Sequence, residues 1–387
     1  MKKDKVAGNM LIAQSGGHGA IRKIYGSLHG IRGVLEENLI DLRRETPANL
    51  ELVAATPSSA LGTVRHKPTP EDCKMIFNVL RRYDVRYFFY IGGNDSAETA
   101  HIVNEQSLKV GYQLNCLHIP KTIDNDLREN DHTPGFGSAA RFVACAVMGD
   151  DLDNRALPGV KIDVVMGRHA GFLTAASALA RSHPDDGPHL IYLPEKPFSM
   201  SGFIRDVKAV YARLGRCMVV VSEGIADEKG ETIAAKFLAE KDSHGNVQLS
   251  GSGALGDLLA AAVRAKAGIS RVRADTFGYL QRSFPGLLSE VDAREARAVG
   301  VEAVRLAVKG CSDGSVAIRR KPGRQYRVVY ERVPLSRVAR ETRSMPASFI
   351  NRSGNNVTEA FLRYARPIVG ELPRVGYLKD ARVARKK

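Results

Sequence analysis

No two of the five cysteines, Cys73, Cys116, Cys145, Cys217 and Cys311, lie close together in the sequence. Without a CxxC pair there is neither zinc-site spacing nor a disulfide framework, so the thiols read as small apolar residues in a reducing compartment. No apolar run approaches the roughly eighteen residues that cross a bilayer. The start, Met1-Lys2-Lys3-Asp4-Lys5, leads into no signal-type apolar stretch. No long low-complexity linker or internal repeat stands out. These absences point to a cytoplasmic globule without a membrane partner. The net charge is +15, yet the basic runs Arg319-Arg320-Lys321 and Arg382 to Lys387 have few aromatics among them and no nucleic-acid module, so no nucleic-acid partner is expected. Small phosphorylated anions are the better match to some of these cations.

With 44% hydrophobic and 26% charged residues the composition is ordinary, and 387 residues are long for one core, which suggests two α/β lobes. The most informative stretch is Pro120-Lys121-Thr122-Ile123-Asp124-Asn125-Asp126, directly after the apolar run Leu114 to Ile119. An extended segment ending in a polar turn presents its side chains at the carboxyl edge of a sheet, where open α/β sheets bind ligands. Asp124 and Asp126, at i and i+2, then face a shared space, so one can take a proton while the other holds a metal or orients its neighbour. Asp and Asn also favour turns on their own account, so this stretch alone is also compatible with a plain strand ending.

Similar endings recur. Tyr87 to Ile91 breaks into Gly92-Gly93-Asn94-Asp95-Ser96, Met10 to Ala13 into Ser15-Gly16-Gly17, and the run Ile162 to Met166 ends in the motif Met166-Gly167-Arg168. Backbone amides freed by such glycines can cradle a phosphate. Further along come Glu223-Gly224 and Gly278-Tyr279-Leu280-Gln281-Arg282. Between the strand-like runs lie helical patterns. Thr69-Pro70-Glu71-Asp72 combines an N-cap, a proline at the first helical position and acids in the first turn, and Cys73, Ile76, Phe77 and Leu80 follow at helical spacing. Ser289 to Val308 reads as a helix, Ala317 to Val333 as basic strands, and Thr358 to Arg363 as part of a short helix. Alternation of strand and helix argues for a parallel sheet with helices on both faces.

In their order and spacing these motifs resemble the phosphofructokinase family over most of the chain. Lys121 and Asp95 look like the members that use pyrophosphate in place of ATP. The resemblance implies two Rossmann-like lobes with mainly parallel sheets and the active site in the cleft between them. Residues 1–139 with about 283–345 would form the phosphoryl-donor lobe, and 140–282 with about 346–387 the sugar-phosphate lobe. The reaction implied is transfer of a phosphoryl group to the 1-hydroxyl of fructose 6-phosphate.

The same resemblance assigns roles. Asp124 would be the base, with Lys121, Thr122 and Arg168 as its catalytic companions. Gly16, Arg65, Gly93, Asn94, Asp95 and Lys121 would bind pyrophosphate. Thr122, Asp126, Met166, Gly167, Arg168, Glu223, Arg273, Tyr279 and Arg282 would bind the sugar phosphate, Arg273 being lent across a subunit interface in a homodimer or homotetramer. Asn94 and Asp126 would hold Mg2+. From the residues alone, Arg273 and Tyr279 are expected on one face of a strand and Arg282 near its turn. Two departures bear on the donor. ATP-using relatives commonly read Gly-Gly-Asp-Gly-Ser where this chain has Asn94 and Asp95, and the turn after Gly17 continues through His18, to which no role is assigned. An ATP-dependent enzyme of the same fold and a non-catalytic phosphate-sensing relative remain as alternatives.

Overall fold

The computed structural model describes residues 10–15, 21–237, 253–339, 342–378 and 383. Two sheets organise them. The larger has seven strands in the order β11-β10-β5-β4-β1-β2-β3, with β1 Met10–Ser15, β2 Ile21–Ser27, β3 Leu39–Asp41, β4 Val85–Gly92, β5 Asn115–Pro120, β10 Gly314–Arg320 and β11 Val328–Val333. The smaller has the order β7-β8-β6-β9, from β6 Val160–Val165, β7 Leu190–Tyr192, β8 Cys217–Ser222 and β9 Val272–Thr276. Every ladder of the smaller sheet is parallel. In the larger, β4, β5 and β10 run parallel while β1, β2, β3 and β11 are antiparallel to their neighbours. The α/β architecture with mainly parallel pairing is therefore present, with an antiparallel flank on the larger sheet.

Continuous apolar runs explain the central strands. Phe88, Phe89, Cys116 and Leu117 are fully buried, as are Val219, Val220 and Val221. A strand covered by helices on both faces needs such runs rather than alternation. The helix Pro70–Arg82 starts as its sequence predicts, with Pro70 at N1 and a reciprocal capping box between Thr69 and Asp72. It buries Cys73, Ile76, Phe77, Val79 and Leu80 against the core that includes Phe88. A cap of this type contributes about 1 kcal/mol, and each large apolar side chain about 1.5–3 kcal/mol. The cysteines are unpaired, three of them buried.

Three expectations need correction. The strand β1 runs antiparallel to β4, with Gln14 beside Val85, so its carboxyl end lies at the edge of the sheet opposite Gly92 rather than at the cleft. Gly16 and His18 themselves lie outside the described residues. The second concerns the segment after β9, which ends at Thr276 and gives way to a 3-10 turn over Gly278–Arg282. Tyr279 and Arg282 therefore sit on that turn and share no strand face with Arg273. Finally, Gly135-Phe136-Gly137-Ser138 reads in the sequence as the cap of a helix beginning near Ala139, and the helix instead begins at Phe136, with Gly135 as N-cap.

Candidate active site

The ends of β4 and β5 build one wall. Gly92 and Pro120 are register partners, so both chains leave the sheet at the same edge, and Lys121 N donates to Gly92 O at 2.9 Å. The turn that follows is locked from several directions. Thr122 N donates to Pro134 O at 3.1 Å, Thr133 Oγ1 donates to Thr122 O at 2.8 Å, and Asp124 N donates to Thr122 Oγ1 at 3.2 Å. Asn125 has φ 59, a left-handed conformation that asparagine tolerates better than most residues. Its Nδ2 donates to Tyr364 Oη at 2.7 Å, and its Oδ1 accepts from Thr133 N at 3.0 Å.

Arg343 clamps the same turn: its backbone N donates to Asp126 O at 2.6 Å and its Nη2 to Asn125 O at 2.7 Å. Nothing in the sequence near Arg343 marks it for this work. Asp292 is a similar case. Gly135 offers the helix Phe136–Ala156 no side-chain cap, so buried Asp292 accepts from Gly135 N at 2.7 Å, Ser138 N at 2.9 Å and Ser138 Oγ at 2.5 Å. A carboxylate there also complements the positive end of the helix dipole.

The facing wall comes from the smaller sheet. Gly167 follows β6 with φ 141, and a Cβ on it would stand 2.6 Å from Ala170 O. A Cβ on Gly224 would stand 2.1 Å from Arg168 O. Both glycines are required because two backbone segments pass at close range to place Arg168. Ser222 Oγ donates to Gly167 O at 2.6 Å, and Gln281 Oε1 accepts from Met166 N at 3.1 Å. Gln281 thus ties the 3-10 turn to the end of β6, a role that sequence reasoning missed inside a motif it had noticed. On that turn Arg282 lies over the Tyr279 ring, 4.4 Å from its centroid.

Between the walls lies a cleft of about 540 Å³, lined by Arg65, Lys121, Thr122, Asp124, Met166, Tyr279 and Arg282 among others. Its cations compete for two acids. Burial drives the Asp124 carboxyl above the usual range, while Lys121, Arg282, His169 and Arg168 pull the other way. Asp126 is pushed up to about 7, by burial first and by Asp124 second. Burial lowers Lys121 to about 8, with Asp124 opposing the shift and Arg282 adding to it. A pair of acids that resist ionising together, beside a cation that resists staying charged, is an arrangement ready to exchange protons and bind anions. His169 joins this group through its field alone and had no assigned role.

Not every sequence-predicted residue meets in the cleft. Asn94 adjoins it, donating from Nδ2 to Asp126 Oδ2 at 3.0 Å. Gly93 is the N-cap of the helix Asn94–Lys109, and Asp95 is exposed in its first turn. Glu223 is buried at the end of β8. Arg273 is exposed near the start of β9, pairs in register with Lys161, and donates to Val272 O at 3.1 Å. The structure does not bring Arg273 into the cleft of its own chain.

The phosphofructokinase profile matches residues 11–307. The chain belongs to the phosphofructokinase family. It is 55% identical over 399 residues to a pyrophosphate–fructose 6-phosphate 1-phosphotransferase from Rhodospirillum rubrum, covering 98% of each chain. A protein of the same name from Xanthomonas campestris is 39% identical, again over 98% of each. A solved pyrophosphate-dependent phosphofructokinase from Marinobacter aquaeolei aligns with TM-score 0.80 and 32% identity, over 95% of this chain and 90% of that one.

A divalent cation fits this phosphofructokinase cleft on local chemistry. Asn94 Oδ1 is buried with no hydrogen-bond partner, and it shares its side chain with the bond to Asp126 Oδ2. An orphaned amide oxygen beside two acids that repel each other is an oxygen donor set with a charge to be neutralised.

The Asp126 shift has a thermodynamic sign. Its folded pKa lies above the ordinary carboxylate value, so the folded state binds the proton more tightly, and the resulting stability is lost as pH rises from the ordinary range through about 7. In chelator, Asp126→Asn is expected to melt above wild type at pH 8, with the advantage shrinking by pH 4. Thermal melts at both values check this; an equal offset at the two pH values would contradict it.

Proposed function

We propose that this chain reversibly transfers a phosphoryl group from pyrophosphate to the 1-hydroxyl of fructose 6-phosphate, giving fructose 1,6-bisphosphate and phosphate. The observation that carries the reading is Asp124, a carboxyl lifted by burial and facing a cleft whose cations include half-buried Lys121. The relatives' names support the same donor and acceptor.

Asp124 takes the proton of the 1-hydroxyl as that oxygen bonds to a phosphorus of pyrophosphate, the bridging P–O bond breaks, and phosphate leaves. Lys121, Arg65 and Arg168 offset the charge on the moving group. Thr122 fixes the turn carrying the base through Asp124 N. Arg282, Tyr279 and Met166 line the acceptor side, and buried Glu223 and Gly167, at the ends of β8 and β6, are assigned to the same sugar-phosphate wall. Asn94 and Asp126 would hold Mg2+, which when bound neutralises phosphate oxygens. We also propose a cytoplasmic location, which the unpaired cysteines support.

Purified protein with fructose 6-phosphate and Mg2+ should turn over with pyrophosphate and little with ATP; the reverse preference would refute the donor assignment. We also propose that Arg273 reaches the sugar phosphate of a neighbouring copy, in a homodimer or homotetramer, since it is exposed and away from its own cleft. Inactive Arg273→Ala and Asp124→Asn subunits, once mixed, should then regain activity through hybrid sites. Absence of recovery despite demonstrated subunit exchange would contradict a shared site.

A further inference from the structure

A second group of acids lies outside the cleft. Asp150 comes from the helix Phe136–Ala156, Asp163 from β6 and Asp275 from the edge strand β9, and carboxylate oxygens from all three lie within 4.8 Å of one another. Asp163 and Asp275 are direct register partners, so two like charges face each other across adjacent strands, which is destabilising without a counter-charge. Lys161, two residues before Asp163 and on the same strand face, supplies part of one. Its Nζ contacts Asp275 and lies 3.4 Å from Asp150.

Asp163 is the residue that this lysine leaves unexplained. It is fully buried, and neither of its carboxylate oxygens has a hydrogen-bond partner. Buried polar atoms are nearly always partnered, and a buried lone carboxylate is among the costliest exceptions. A proton on Asp163 would satisfy one oxygen, by donation to Asp150, and leave the other bare. Three carboxylates and one ammonium carry a net charge of −2, which one divalent ion cancels. Oxygen-only ligands favour hard cations, and oxygens up to 4.8 Å apart are spanned by Ca2+ at about 2.3–2.6 Å, whereas a smaller ion draws them a few tenths of an ångström closer. Exposed Asp275 gives an entry path and room for water ligands.

We propose that Asp150, Asp163 and Asp275 form a divalent-cation site of their own, separate from the cleft, taking Ca2+, Mg2+ or Mn2+. The ion ties β9 to β6 and to the long helix. Because β9 leads straight into the turn carrying Tyr279 and Arg282, the site anchors the acceptor wall from behind. Lys161 competes for the same oxygens, so the ion displaces its ammonium from Asp275.

The test uses full-length protein, stripped with chelator and free of substrates. Mn2+ binding followed by electron paramagnetic resonance should count one more ion per chain in wild type than in Asp163→Asn or Asp275→Asn. Asp126→Asn should keep that ion. In an Asp126→Asn background, which removes the cleft's own carboxylate for a cation, Ca2+ at about 100 times its Kd should raise the melting temperature by a few degrees, and adding Asp163→Asn or Asp275→Asn should abolish that shift. Lys161→Met, which removes the competing ammonium, should bind Mn2+ about tenfold more tightly. Asp275 is exposed, so its variant keeps the test informative if Asp163→Asn does not fold. Equal Mn2+ counts in wild type and Asp275→Asn, a Ca2+ shift that survives when Asp275→Asn is added to Asp126→Asn, or unchanged or weaker binding by Lys161→Met would overturn the proposal.

Discussion

Asp124→Asn is expected to cut turnover about 10²- to 10⁴-fold, the usual effect of losing a general base, with little change in fold or in substrate binding. The amide keeps the shape of the side chain and can still sit on the turn held by Thr122 Oγ1, Asn125 and Arg343. What it loses is the ability to accept the 1-hydroxyl proton. The pH profile distinguishes this from a merely structural defect. Since burial raises the Asp124 carboxyl, wild-type kcat/KM should fall on the acid side at a pH above the ordinary carboxylate range, as the base becomes protonated. The residual rate of the variant should lack that limb. Steady-state kinetics from pH 5 to 9 on both proteins settles the matter, and comparable turnover in the variant would remove Asp124 from the role of base.

The parts of the site that could be read from sequence are those built by local rules. A strand that ends in Pro120 and then places Asp124, Asn125 and Asp126 must turn, and the edge where it turns is fixed by the parallel pairing of β4 with β5. The Thr69 cap and its apolar spacing are local in the same sense. Missed features depend on pairings made across long stretches of chain. Asp292 caps a helix that starts at Phe136, and Arg343 holds carbonyls at Asn125 and Asp126; neither lies in a motif, because a hydrogen bond to backbone asks nothing of the partner's side chain. The direction of β1 was invisible for a related reason, since an apolar run of that length satisfies a parallel or an antiparallel neighbour equally well. The 3-10 turn at Gly278–Arg282 hid behind strand-forming residues such as Tyr279 and Phe277, whose propensity gave way to the tie between Gln281 and Met166 N.

Donor choice is expected to shift when Asp95 and Lys121 are exchanged for glycine. Asp95 stands in the first turn of the helix Asn94–Lys109, exposed, two residues after the N-cap Gly93. On the proposed function, a carboxylate there would repel and obstruct the inner phosphate of a nucleotide, whereas pyrophosphate would end before reaching it. Lys121 is the complementary element. Its ammonium is desolvated, and burial already weakens its hold on the proton, down to about 8. A pyrophosphate anion would restore that charge, so the compact cation is stabilised by the ligand that it holds. Asp95→Gly should therefore raise ATP-dependent turnover from near zero. Lys121→Gly should lower pyrophosphate-dependent turnover while leaving the KM for fructose 6-phosphate much less affected. Removing the acid from a helix start, with glycine in its place, costs about 1–2 kcal/mol in stability, so melting curves must show that the variant is folded at the assay temperature. The double variant should favour ATP more than either single change, and the two effects need not add because both residues act on one ligand. Steady-state rates with each donor at saturating fructose 6-phosphate provide the measurement. If folded Asp95→Gly still leaves ATP unused, the gate lies elsewhere in the cleft, and residue 95 loses its place in the explanation of donor choice.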